Sequence, residues 1–247
     1  MQIAMWSGPR NLSTAMMYSF GNRPDFDIID EPFYASYLHK TGINHPMRDE
    51  VIVSQPVDPS EVIDNLLDRK CKSKSHCYQK HMTQHILDDF DLKWMKKFTN
   101  VFLIRHPARV IKSFGKKLNN ASFADIGFKK QLQLFNYVSQ TGQKPIIIDS
   151  FDIRKNPRSA LECLCSEVGV KFMPEMLSWP KGGHKSDGVW AKHWYGAVHR
   201  SEGFSGEEGD LPNLNAEQSE ISSIALPYYL CLLYTSDAAD EEDSVDL

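Results

Sequence analysis

Gln2-Ile3-Ala4-Met5-Trp6-Ser7-Gly8-Pro9-Arg10-Asn11-Leu12-Ser13-Thr14 opens the chain with a short apolar run, a Gly/Pro/Asn turn and two hydroxyl residues. Ala15 to Phe20 then continues in helical spacing until Gly21 and Pro24 stop it. The order is strand, loop, helix. A loop in that place aims free backbone N–H groups and the positive end of the helix dipole at one point, which suits a phosphate or sulfate. Arg10 adds a full positive charge, and Ser13 and Thr14 add hydroxyl donors. The segment does not read as G-x-x-x-x-G-K-[ST], so it gives no support to a Mg²⁺-dependent ATP or GTP site of the Walker type. Taken by itself it serves equally as a turn that caps a helix.

A second segment changes that balance. Val101-Phe102-Leu103-Ile104 reads as a buried strand, and Arg105 stands at its C-terminal end, where open α/β sheets hold their ligands. Ser113 follows eight residues later, and Pro107 suits the first turn of the helix between them. Arg105 and Ser113 can therefore reach one anion, although an isolated arginine more commonly pairs with a surface carboxylate. Together the two segments offer two anion sites, as a nucleotide bisphosphate requires.

At these residues the chain resembles the sulfotransferases, which use 3′-phosphoadenosine 5′-phosphosulfate (PAPS) within a P-loop-like, three-layer α/β fold with a central parallel sheet flanked by helices. In that family a Pro-Lys/Arg-Ser-Gly-Thr-Thr loop holds the 5′-phosphosulfate. Pro9-Arg10-Asn11-Leu12-Ser13-Thr14 lines up with it, matching at Pro9, Arg10, Ser13 and Thr14 and departing at Asn11 and at Leu12, where the usual Gly is absent. The family also binds the 3′-phosphate through an Arg and a Ser within Arg-x-Pro-x-x-x-x-x-Ser, which Arg105, Pro107 and Ser113 reproduce. Gly188-Val189-Trp190-Ala191-Lys192-His193-Trp194 resembles the family's Gly-Asp-Trp-Lys-x-x-Phe segment. Lys181-Gly182-Gly183 and Lys185 stand, with altered spacing, for the basic element that closes over the nucleotide. Trp190 and Trp194 read equally as a half-buried aromatic pair in a C-terminal lid.

Sulfuryl transfer needs an in-line nucleophile, a base for its proton, and cations on the leaving phosphate and equatorial oxygens; no metal is called for. Glu31 ends the second apparent strand, Asp27-Ile28-Ile29-Asp30-Glu31, and so falls on the ligand side of the sheet. The Pro24-Asp25 turn before it is similar to the turn preceding a catalytic Glu in members of the family with carboxylate bases. Glu31 serves otherwise as a turn cap before Pro32 or a partner for Arg10, and Asp30 is its rival. The other base is His81, in the strand-like His76-Cys77-Tyr78-Gln79-Lys80-His81-Met82, because cytosolic family members carry Lys-Thr-His in such a strand. Adjacent residues on a strand point to opposite faces, so Lys80 and His81 cannot both serve one site without a bulge. Lys80 is the electrostatic choice, with His81 and His85 as ordinary polar or core residues.

Composition bounds the rest. The chain has 247 residues, 41% hydrophobic and 24% charged, with a formal charge of −4. That suits one domain over 1–233, with 35–75 inserted on the acceptor side, 181–214 as a closing loop and a last helix from Asn215. Residues 237–247 hold six of the 32 acids and no base, leaving 26 acids against 28 bases, formally +2. A tail from 234 of this kind is expected to be disordered, and its sequence resembles translated sequencing-adapter read-through. The near-neutral body implies no nucleic-acid partner, and no apolar run approaches the span of about 20 residues that a membrane helix needs. Five scattered cysteines without zinc spacing and an opening strand without a basic leader fit the cytoplasm.

The expectation is thus a PAPS-dependent sulfotransferase acting on a hydroxyl or amine of a small molecule, with Tyr34, Tyr37, His39 and His45 as acceptor contacts. A P-loop kinase or hydrolase would show Mg²⁺-dependent ATP turnover, and a non-catalytic nucleotide-binding module would bind without turnover.

Overall fold

The structure, a computed structural model, describes residues 1–68, 74–115, 122–204 and 206–243. Five parallel strands form one sheet: β1 (Gln2–Ser7), β2 (Phe26–Asp30), β3 (His76–Met82), β4 (Thr99–Ile104) and β5 (Ile146–Asp149), in the order β2-β3-β1-β4-β5. The helices are α1 (Ser13–Gly21), α2 (Tyr34–Thr41), α3 (Arg48–Ser54), α4 (Pro59–Asp68), α5 (Pro107–Phe114), α6 (Phe128–Gln140), α7 (Ser150–Lys155), α8 (Pro157–Val168), α9 (Ala191–Trp194) and α10 (Ala216–Asp243). A parallel sheet needs crossovers that cover both its faces, and its strands read as continuous apolar runs for that reason. Ile3, Ala4, Met5 and Trp6 of the central strand are accordingly all inaccessible to solvent. Ile3, Met5, Tyr78 and Leu103 pack with Met16, Met17 and Leu164 on one face; Ala4, Trp6 and Phe102 pack with Phe135, Ala225 and Leu232 on the other.

Register levels the C-terminal strand ends. Ser7 lies opposite Met82 and Leu103, Asp30 opposite Lys80, and Ile104 opposite Asp149. The chain builds outward from β1 in both directions, so the crevice at this edge is where a doubly wound sheet takes its ligand.

Segment 35–75 contributes helices α2, α3 and α4, with residues 69–73 outside the described ones. Helix α10 starts where Asn215 Oδ1 accepts the Gln218 N–H at 2.8 Å. It is held by buried Ala225, Tyr229 and Leu232 and continues to Asp243, although disorder was expected from 234. Residues 237–243 contain no Gly or Pro, so the anchored helix has nothing to stop it there. No helix among the described residues is long and apolar enough to cross a membrane.

Candidate active site

The loop after β1 is held in a conformation its side chains resist. Arg10 and Leu12 have φ of 65° and 64°, the left-handed region that costs a residue with a Cβ about 1–2 kcal/mol. Leu12 thus takes the backbone shape that the usual Gly would adopt freely. Tertiary ties hold the strain: Arg105 Nη1 donates to the Arg10 carbonyl at 2.6 Å, and Asn11 Nδ2 donates to the Leu103 carbonyl at 3.2 Å. Gly8 is required by space, since a Cβ there would lie 2.4 Å from the Ile126 carbonyl oxygen. Asn11 is buried and faces β4; its side chain lines neither cavity described below.

Arg10, Arg105 and Ser113 are brought together across about 100 residues of sequence. Arg10 Nε donates to Ser113 Oγ at 2.9 Å, and burial together with the nearby Arg105 charge lowers the Arg10 pKa. These three residues line an open cavity with Leu12, Ser13, Thr14, Arg154 and Phe204. Beside it the Glu208 carboxylate lies on three arginines. It pairs with Arg105 Nη2, with Arg109 Nε at 2.9 Å and with Arg154 Nε at 3.7 Å, and its side chain is 2% exposed. Arg109 and Arg154 were missed from sequence; the available signal was a basic residue just beyond the ends of β4 and β5. Lys181 is exposed and pairs with Glu202 at 3.3 Å, Lys185 is exposed, and neither lines a cavity here.

Across the loop, a second cavity is lined by Pro9, Arg10, Ser13, Thr14, Glu31, Tyr34, Tyr37, His45, Lys80, Met82, Gln84, His85, Phe114, Asp125, Trp194 and Tyr195. The two cavities share Arg10, Ser13, Thr14, Trp194 and Tyr195. Glu31 leaves the end of β2 with a φ of 41°, its N–H bonded to the Lys80 carbonyl at 2.9 Å. Lys80 is buried and spends its three N–H groups on Asp30 Oδ1 at 3.1 Å, Tyr195 Oη at 2.6 Å and Glu31 Oε1. Burial opposes the Lys80 ammonium, but the two carboxylates outweigh it and its pKa is raised. Burial, reinforced by the Glu31 charge, pushes Asp30 up to about 6 against the pull of Lys80.

His81 leaves the opposite face of β3. It stacks on Trp6 at 4.4 Å, bonds Gln79 Oε1 through Nε2 at 3.0 Å, and is held at about 3 by burial. It lines neither cavity. His85 does, from the 3₁₀ turn Thr83–His85 that follows β3. It is sandwiched by Tyr34 at 4.4 Å and Tyr37 at 4.9 Å, with Nδ1 3.8 Å from Glu31 Oε2, and burial keeps it well below the usual histidine range. Tyr34, Tyr37 and His45 also reach the cavity, whereas His39 is exposed elsewhere.

The model of the sulfotransferase domain family matches residues 1–235. The chain belongs to the sulfotransferase family. Its architecture agrees with two solved sulfotransferase domains. One, from the curacin biosynthetic pathway, has a TM-score of 0.53 at 18% identity, covering 90% of this chain and 96% of that one. The other, from the olefin synthase of Synechococcus PCC 7002, has a TM-score of 0.50 at 17% identity, covering 91% of this chain and 94% of that one. At those identities the likeness concerns the fold. Two Arabidopsis thaliana proteins, branched-chain-amino-acid aminotransferase-like proteins 1 and 2, are each 34% identical over 227 residues. That alignment takes in 92% of this sulfotransferase chain but only 40% of either relative.

Proposed function

We propose that this sulfotransferase moves the sulfuryl group of PAPS to a hydroxyl or amine of a small molecule. The observation that carries the reading is the meeting of two cavities on Arg10, Ser13 and Thr14, with Arg105 and Ser113 lining one and Glu31 the other. The backbone of the loop, Arg10, Ser13 and Thr14 would hold the 5′-phosphosulfate, and Arg105 and Ser113 the 3′-phosphate. Transfer forms a bond from the acceptor oxygen or nitrogen to sulfur as the bond to the phosphate oxygen breaks. The acceptor proton passes to Glu31 Oε2, since Oε1 is engaged by Lys80 and Tyr195. Lys80, with all three N–H groups committed, anchors Glu31 rather than reaching the sulfuryl oxygens. Arginines supply the cations of this scheme, and it assigns no step to a metal.

Calorimetric titration with 3′-phosphoadenosine 5′-phosphate (PAP), beside AMP and ATP with Mg²⁺, tests the donor reading. Selective binding of PAP is expected; preference for ATP with Mg²⁺ would overturn it. Glu208 adds a further expectation. A 3′-phosphate on Arg105 must share or displace the carboxylate now paired there. Glu208→Gln is therefore expected to tighten PAP about tenfold, the worth of one competing charge-assisted bond, and to leave AMP unchanged. Weakened PAP binding in the same titration would show that Glu208 instead holds the arginines in place.

A further inference from the structure

Tyr195 belongs to none of the motifs above, yet its hydroxyl joins four residues from three places in the chain. Oη lies 2.6 Å from Lys80 Nζ, 3.0 Å from Trp190 Nε1, 2.8 Å from each Asp30 oxygen and 3.0 Å from Glu31 Oε1. A phenol has one proton to give and two lone pairs to accept with. Lys80 and Trp190 are donors, so they take the lone pairs. The single proton of Tyr195 is left for the carboxylates, and only one of them can have it at a time.

We propose that Tyr195 is a positioning residue for sulfuryl transfer: its one hydroxyl proton, held between Asp30 and Glu31, orients the base and ties its readiness to the seating of segment 188–201. The proposal rests on the reading of Glu31 as base. The segment also places Trp194, Ala197, Val198 and Ser201 on the donor-side cavity, so a nucleotide there packs against the backbone that carries Tyr195. Its fit over the carboxylates is close. Gly188 N–H donates to Asp30 Oδ2 at 3.1 Å, and a Cβ on Gly188 would fall 2.1 Å from the Trp190 ring. Shifting this segment would take two hydrogen bonds from Asp30 at once, those of Gly188 and Tyr195.

The groups that set Asp30 are known from every side. Lys80 and Glu31 touch the cluster directly, Tyr18 and Tyr78 feel the Asp30 charge, and Tyr34 and His45 feel that of Glu31. His85 and Arg10 complete the wall of the adjoining cavity. Tyr195 and the Gly188 N–H are the neutral donors that favour the ionised Asp30 carboxylate. Removing the phenol hydroxyl should therefore make Asp30 hold its proton to higher pH.

The test is Tyr195→Phe, with the Asp30 carboxyl followed by carbon-13 NMR against pH and assigned by its loss in Asp30→Asn. PAP affinity is measured in parallel by calorimetry. The expected result is an upward move of the Asp30 titration by about one pH unit, with PAP affinity kept within about threefold. An Asp30 titration unchanged by the substitution overturns the proposal. Should Tyr195→Phe fail to fold, Trp190→Phe removes the Nε1 donor to Oη together with part of a buried ring, weakening the phenol as a donor in turn. A smaller shift in the same direction then supports the proposal, and no shift overturns it. If the unmodified chain does not bind PAP, the donor reading fails, while the titration still decides the hold of Tyr195 on Asp30.

Discussion

Glu31→Gln is expected to slow PAP release from PAPS, assayed with a panel of small alcohols and amines, by about 10²–10⁴-fold, the usual contribution of a general base. PAP affinity should stay within about twofold, because Glu31 lines the acceptor-side cavity and not the donor-side one. The glutamine keeps the shape of the side chain, and its carbonyl can accept from Lys80 as the carboxylate does. Folding is not endangered by the lost charge, since Lys80 retains Asp30 as a buried counter-ion at 3.1 Å. Asp30 is the control. It is buried beneath Lys80, Tyr195 and the Gly188 N–H, and it does not line the cavity. A loss confined to Asp30→Asn, with Glu31→Gln active, would transfer the base role to Asp30.

The contrast between His81 and His85 shows how far the sequence reaches. Apolar runs marked β1 and β4 because a parallel sheet buries both faces, β2 and β3 read as strands despite their polar residues, and the register then fixes the level of everything at the C-terminal edge. Arg10, Glu31, Lys80 and Arg105 sit at or near strand ends, and Ser113 lies on the helix that follows β4, so their convergence was legible. Strand alternation likewise separated Lys80 from His81. What alternation could not give is the path after β3: a turn at Thr83–His85 brings His85 back to the cavity that His81 faces away from. Tyr195 and Glu208 were beyond reach for another reason. Their contacts span 115 residues from Lys80 to Tyr195 and 103 from Arg105 to Glu208, and the segments that deliver Tyr195 and Glu208 carry little regular periodicity. Local pattern constrains neighbours on one element, and these partners meet only through tertiary packing.

Arg105→Ala is expected to weaken PAP by about 10–100-fold, since a charge-assisted hydrogen bond to phosphate is worth about 1.5–3 kcal/mol. AMP, which lacks the 3′-phosphate, should lose less than about threefold by the same principle. Two further contacts of Arg105 complicate the measurement. It holds the Arg10 carbonyl at 2.6 Å, so its loss removes a tie from the strained loop, and it pairs with Glu208. A slackened loop would weaken both nucleotides alike, and equal losses would overturn the 3′-phosphate assignment. The Glu208 contact supplies the sharper criterion. If Glu208 and the 3′-phosphate compete for Arg105, the gain from Glu208→Gln depends on the arginine being present. In an Arg105→Ala background that gain should shrink from about tenfold to about twofold, leaving a coupling of roughly 1 kcal/mol between the two positions. Independent, additive effects would mean that carboxylate and phosphate do not meet at Arg105, and the donor's second anion would have to be sought on Arg109 and Arg154 instead.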